Sequence, residues 1–179
     1  MTYDERDLPH WQPDGAALFL TWRLHGSLPK EYFESHRDPD PAKEFLRQDR
    51  ILDKALIGPT WLKDDRVAAC VAAALHHADA VLKLYDLRAR VIMSNHVHLF
   101  VDPHVPLASI NRSVRAYTAR EANRILQRTG AFWQHESYDH WSRDLRESEK
   151  IVAYIEENPV SAGLVQHAEG YRWSSAFGL

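Results

Sequence analysis

Two histidines one residue apart, His96 and His98 in the run VIMSNHVHLFVDP, are the first residues whose type and spacing could do chemistry. The branched and apolar residues around them make a β-strand, along which side chains alternate. His96, His98 and Phe100 therefore share one face, while Val97, Leu99 and Val101 share the other, the expected core side. Imidazoles at this spacing start about 7 Å apart at the backbone and can converge on one ion. The pair equally suits two half-exposed polar residues on the wet face of a sheet, because two positions do not complete a ligand shell. A second pairing lies near the C-terminus. In EKIVAYIEENPV, Ile151, Tyr154, Ile155 and Asn158 fall at i, i+3, i+4 and i+7, which stacks Tyr154 and Asn158 on one helical stripe. Such a stripe is either plain core or a phenol with an amide oxygen one turn away.

The elements that must position these residues can be read from pattern. AALFLTWRL, residues 16–24, is a strand broken by GSLP. A charged segment over about 30–60 holds a helix from about Ala42 to Ile57, bounded by prolines and Gly58-Pro59, and reads as an insertion decorating the domain. KDDRVAACVAAALHHAD is a helix opened by acids, with an Ala-rich face suited to packing on a sheet. LKLYDLRARVIM and HVHLFVD form a hairpin across a Ser94-Asn95 turn. PLASINRSVRAYTAREANRILQRTG is a long helix capped by Gly130, SYDHWSR a short strand, and ESEKIVAYIEEN a helix stopped by Pro159. Strand, helix, strand, strand, helix, strand is the α+β, ferredoxin-like βαββαβ order of an antiparallel sheet. An additional C-terminal helix carries Tyr154, and residues 1–179 form a single domain.

Composition removes several classes of function. Hydrophobic residues at 45% and charged residues at 26% describe a globular chain with no disorder bias. The acidic start MTYDERDLPHWQPDG is neither a secretory signal nor a transit peptide, and VAACVAAAL is too short to span a bilayer. Cys70 is the only cysteine, which excludes an intrachain disulfide and fits a reducing, cytoplasmic setting. There is no P-loop and no Gly-x-Gly-x-x-Gly, and HVHLFVD lacks the acid two residues after its second histidine that a binuclear zinc hydrolase would need. The net charge of −3 is unevenly spread: Asp86–Arg146 holds nine arginines against six acids, so this stretch is +3 and the remainder −6. Arg112, Arg115, Arg120, Arg124 and Arg128 fall within 18 residues, and the last three, at i, i+4 and i+8, would line a helix as a solvated or a phosphate-contacting stripe.

Four separated segments, MSNHVHLFVDP, YTAREANRILQRTGAFWQHESYDHWSRD, YIEENPVSAGLV and GYRWSSA, resemble in order and spacing the REP-associated tyrosine transposases of the single-tyrosine HUH nuclease superfamily, also described as IS200-like. HUH stands for His, hydrophobic, His. The likeness covers Asp7–Trp22 and Trp61 to the end, and the charged segment between is weakly matched. It implies that His96 and His98 bind a divalent metal, Mg2+ or Mn2+, that Asn158 is a third ligand and that Tyr154 is the nucleophile. Ser94 stands where the family usually has proline, which alters the hairpin turn and removes no ligand. The activity implied is metal-dependent cleavage and strand transfer of single-stranded, hairpin-forming, REP-like DNA through a 5'-phosphotyrosine. A tyrosine suits this because it stays attached and conserves the phosphoester energy. The five arginines are candidates for the DNA backbone, Trp133, Tyr138 and Trp141 for stacking on bases or for packing, and His135 and His140 for proton transfer. The family includes monomers and homodimers. Two other functions fit the same residues: a domesticated DNA-binding protein of this fold without turnover, and a small-molecule metallohydrolase, which would have a closed apolar pocket.

Overall fold

A computed structural model of the chain describes residues 16–28, 31–32 and 38–178. The N-terminal start and the Asp7–Gly15 part of the resemblance lie outside the described residues. Four strands, β1 (Leu18–Arg23), β2 (Tyr85–Ile92), β3 (His96–Pro103) and β4 (Tyr138–Trp141), form one sheet in the order β2-β3-β1-β4, with every pairing antiparallel. This is the ferredoxin-like arrangement that the element order predicts. The helices are α1 (Pro41–Lys54), α2 (Asp65–Ala80), α3 (Leu107–Ile110), α4 (Ala116–Ile125) and α5 (Leu145–Ser161), with a π-helical turn over Asn111–Arg115 joining α3 to α4.

The predicted alternation holds on both central strands. Leu18, Leu20 and Trp22 of β1 join Val97, Leu99 and Val101 of β3 in a core with Val67, Val71 and Leu75 of α2 and Ala122 of α4. The opposite face is where expectation and structure part. It is dry: His96 and His98 are 0% exposed, and Phe19, Val91 and Phe100 pack beneath Ile155 of α5 and Phe45 of α1. The reading of the histidines as polar residues on a wet face is therefore excluded. α1, expected to be a decoration, is part of the cover. Its base is closed by Gly58, whose φ of 80° and lack of a side chain admit Gly26; a Cβ there would lie 2.2 Å from the Gly26 carbonyl oxygen.

Several boundaries differ from the sequence reading for local reasons. The long helix ends at Ile125, not Gly130, because Gln127 takes a left-handed conformation at φ 52°, which leaves Gly130 in the following loop. The last helix starts two residues early, at an Asp144 N-cap whose side chain accepts the Glu147 N–H at 2.8 Å. It also runs through Pro159 to Ser161. Proline so near the end removes one late hydrogen bond, and the helix closes with Ala162 N–H on the Asn158 carbonyl at 2.9 Å. The GYRWSSA segment seals the outer edge of β2: Ile92 N–H donates to the Trp173 carbonyl, Ser175 N–H to the Arg90 carbonyl, and the Tyr171 hydroxyl to the Ile92 carbonyl. Among the described residues no helix is long and apolar enough to cross a membrane.

Candidate active site

The site forms where the histidine face of β3 meets α1 and α5. Pairing of β1 with β3 sets Thr21 directly across from His98, and Thr21 Oγ1 lies 2.8 Å from His98 Nδ1. On the other histidine, Asn95 of the hairpin turn uses both ends of its amide: Nδ2 donates to the Leu52 carbonyl of α1 at 2.9 Å, and Oδ1 accepts His96 Nδ1–H at 2.8 Å. That orientation of the amide places the His96 proton on Nδ1 and leaves the Nε2 lone pair facing the site. Outer partners of this type fix ring orientation and tautomer in metal-binding histidines. The imidazole rings stand 4.6 Å apart between centroids. Burial first, and the charge of His98 second, push the His96 pKa down to about 3 against the pull of Asp49, so His96 is neutral at pH 7.

Tyr154 and Asn158 face this pair from α5, with the Tyr154 ring 5.8 Å from that of His98. The sequence reading missed the residue that ties the four together. Asp49 of α1, 2% exposed, accepts a short hydrogen bond from the Tyr154 hydroxyl on Oδ2 and lies within 3.4 Å of Asn158 Nδ2 on the same oxygen. Its Oδ1 is 3.1 Å from His98 Nε2 and 3.6 Å from His96 Nε2. Asp53, one turn on, brings Oδ1 to 3.8 Å from His96 Nε2. A signal for Asp49 was present: Phe45, Asp49 and Leu52 are the buried positions of α1 at i, i+4 and i+7, an acid inside an apolar stripe.

The electrostatics follow from this crowding. Burial opposes ionisation of Asp49, but the charge of His98 against it, then that of His96 and the Tyr154 hydroxyl, outweigh it and hold the carboxyl well below its usual range. For Asp53, burial and then the Asp49 charge push the carboxyl up to about 7. Burial, then the charge and hydrogen bond of Asp49, drive the Tyr154 phenol far above the ordinary tyrosine range, so it holds its proton firmly. Among the described residues, five buried polar atoms here have no hydrogen-bond partner: His96 Nε2, His98 Nε2, Asp49 Oδ1, Asp53 Oδ1 and Asn158 Oδ1. Each such atom costs about 1–3 kcal/mol if left alone, and all five are metal donors. The Asp49, His96 and His98 ligand atoms lie within 4.8 Å of one another and could hold a metal ion.

The sequence profile described as "Transposase IS200 like" matches residues 66–158, from the start of α2 through Asn158. The chain belongs to the IS200-like transposase family. No curated protein matches the sequence. A solved structure, of a REP-associated tyrosine transposase bound to a REP hairpin, is similar at TM-score 0.57 and 14% identity, over 94% of this chain and 81% of that one. At that identity the likeness is one of fold. Membership makes this chain a DNA transposase, and α1 with its Asp49 lies outside the profile match.

The other residues singled out in the sequence scatter. Trp133 is buried among Trp22 and Phe132, with Nε1 donating to Thr118 Oγ1 at 3.0 Å, so it packs the core and offers no face to a base. Trp141 is half-buried against the same core, and Tyr138 stacks on Phe45 at 4.3 Å. Arg112 is exposed; Arg120 and Arg124 are exposed on α4 and paired with Glu121 at 3.3 and 3.0 Å. The three-arginine stripe is corrected to two, because Arg128 lies past the helix end with its guanidinium 3.6 Å over the Trp61 ring and hydrogen-bonded to Asn123. Arg115 braces the Gln134 and His135 carbonyls. His135 is exposed, and His140 pairs with Glu147 at 3.0 Å.

Proposed function

We propose that this transposase cleaves and rejoins single-stranded, hairpin-forming DNA, with Tyr154 as nucleophile and His96, His98 and Asn158 as ligands of a divalent cation, Mg2+ or Mn2+. The observation that carries the reading is that the Tyr154 hydroxyl, the Asn158 amide and both histidine Nε2 atoms all border the Asp49 carboxylate, with the two Nε2 atoms and Asn158 Oδ1 unpartnered. Mixed imidazole and oxygen donors suit Mn2+ and Mg2+ as well as zinc, so donor type narrows the ion without naming it. When bound, the cation would neutralise charge on the scissile phosphate and the departing oxygen.

The chain's own residues do the rest. Attack by the Tyr154 oxygen forms one phosphoester as the bond to the 3'-oxygen breaks, leaving a 5'-phosphotyrosine and a free 3'-hydroxyl. The phenolic proton is released as the 3'-oxygen gains one, and no nucleotide cofactor is consumed. Because α5 holds Tyr154 and Asn158 one turn apart, nucleophile and ligand move as one body. A hairpin substrate is supported by the relative solved with a REP hairpin. Arg112 is exposed, and Arg120 and Arg124 stay exposed beside Glu121, so these three can meet a DNA backbone more readily than Arg115 and Arg128, which are bound to backbone carbonyls of their own chain.

The test uses a 3'-labelled single-stranded REP-like hairpin with Mn2+, separated on a denaturing gel. Wild-type protein is expected to carry label covalently. Tyr154→Phe should bind the hairpin and form no adduct, and His96→Ala with His98→Ala should lose the metal-dependent adduct. An adduct mapping to Tyr117 or Tyr138 would overturn the nucleophile. Binding without any wild-type adduct would favour the domesticated DNA-binding protein.

A further inference from the structure

The contact between Asp49 and Tyr154 joins residues 105 positions apart, and one partner lies outside the region the family profile matches. The two carboxylate oxygens serve different neighbours. Oδ2 takes the Tyr154 hydroxyl and approaches the Asn158 amide, while Oδ1 has no hydrogen-bond partner and faces both histidine Nε2 atoms. The helix presenting Asp49 is fixed at three points: Phe45 stacks on Tyr138 at 4.3 Å, meets Phe19 edge-on at 5.4 Å, and the Leu52 carbonyl takes Asn95 Nδ2 at 2.9 Å.

We propose that Asp49 is a positioning residue of the strand-transfer site: Oδ2 seats the Tyr154 hydroxyl, and Oδ1 is a further ligand atom for the cation at His96 and His98. This rests on Tyr154 being the nucleophile. The reason for such a residue is geometric. A phenolic oxygen at the end of a tyrosine side chain sweeps an arc as the ring pivots, and a displacement of about 1 Å from the line of attack costs on the order of 100-fold in rate. A hydrogen bond donated to a carboxylate held on a second helix fixes that oxygen, with its lone pairs turned away from the carboxylate and available to phosphorus. Since the same carboxylate meets the histidines, nucleophile and cation are referred to one rigid group. The segment that looks like an insertion in the sequence is then a working wall of the site.

The experiment compares Asp49→Ala and Asp49→Asn with wild type in three measurements: single-turnover adduct formation at saturating hairpin, hairpin affinity, and Mn2+ affinity by electron paramagnetic resonance without DNA. For Asp49→Ala the expected result is an adduct rate down about 100-fold, unchanged hairpin affinity, and Mn2+ binding weakened at least about tenfold. Asp49→Asn has nearly the same shape and keeps an acceptor for the hydroxyl, so it should recover part of the adduct rate while Mn2+ binding stays weak. It also serves if the alanine variant does not fold. A variant that forms adduct and binds Mn2+ as wild type does would sink the proposal, as would one that reacts faster, which would make Asp49 a block to the site. If wild-type protein forms no adduct, the reading of Tyr154 fails by itself, and wild-type Mn2+ affinity in Asp49→Ala would then overturn the Asp49 assignment independently.

Discussion

Asn95→Ala is the most searching perturbation of the site that leaves every proposed ligand in place. The Asn95 side chain is fully buried and joins α1 to the metal-facing histidine, through the Leu52 carbonyl at 2.9 Å and His96 Nδ1 at 2.8 Å. Alanine leaves the His96 N–H buried without a partner and takes one of two donors from the Leu52 carbonyl, which keeps the Ala55 N–H at 3.0 Å. At about 1–3 kcal/mol for the orphaned group, the metal-free protein should lose roughly 1–3 kcal/mol of unfolding free energy in urea. The same change frees the His96 ring to rotate and its proton to move to Nε2, which removes the lone pair from the site. Loss of an outer partner of this kind weakens metal binding by about 10–100-fold. Asn95→Asp separates the two effects, since it keeps an acceptor for His96 and loses the donor to Leu52; its Mn2+ affinity should fall between wild type and alanine. Wild-type Mn2+ affinity in Asn95→Ala would refute the claim that Asn95 sets the histidine, leaving it as a tether for α1 alone.

Gly58→Ala should cost at least about 2 kcal/mol and weaken Mn2+ binding, because a left-handed residue and a Cβ 2.2 Å from a backbone oxygen must both be relieved where the α1 segment closes. Gly130→Ala, with φ 91° and nothing within 4 Å of its Cβ, should cost only the conformational part, about 1 kcal/mol; equal losses would contradict the contact at Gly58. In metal-free protein Asp53 is raised from 3.8 to about 7, so between those values the folded chain holds a proton that the unfolded chain releases. Its contribution is fully present below about pH 4 and is lost as pH rises toward 7, by at most about 1.4 kcal/mol per pH unit, and Asp53→Asn should flatten that slope of unfolding free energy against pH. Mn2+ at 100 times its Kd should add about 2.7 kcal/mol to wild-type and Tyr154→Phe protein but not to the His96→Ala, His98→Ala variant, read as a shift in Tm.

The sheet was legible because its signal is periodic. Alternation in HVHLFVD separated the histidine face from Val97, Leu99 and Val101, and the order of elements gave the topology that the pairing of β1 with β3 and β4 bears out. Tyr154 and Asn158 were legible as stacked neighbours because helical spacing is local too. What stayed hidden depends on contacts between distant segments. Nothing in RQDRILDK says that its first aspartate meets a tyrosine 105 residues later, and its charge made the segment look like surface. Trp133 and Arg128, read in the sequence as candidate DNA contacts, are engaged within the chain for the mirrored reason. Residue type suggested a ligand, whereas Thr118 and Trp61 had already claimed the side chains.

Burial also explains why the histidine face had to be closed from two sides. An antiparallel sheet can leave one face to water, and imidazoles there would keep their hydration. Under α5 and α1 the pair loses that hydration, and His96 stays neutral with its Nε2 lone pair available to an electrophile. Burial, and then the Asp49 charge, also raise the Tyr154 phenol, so its hydroxyl holds its proton. With Tyr154 as the proposed nucleophile and the histidines as proposed ligands, one burial step would both prepare the ligands and restrain the nucleophile until a cation and a phosphate share the site. A transposase built this way keeps its tyrosine protonated away from DNA, and it does so with α1, the segment that a reading of charge alone would have discarded as decoration.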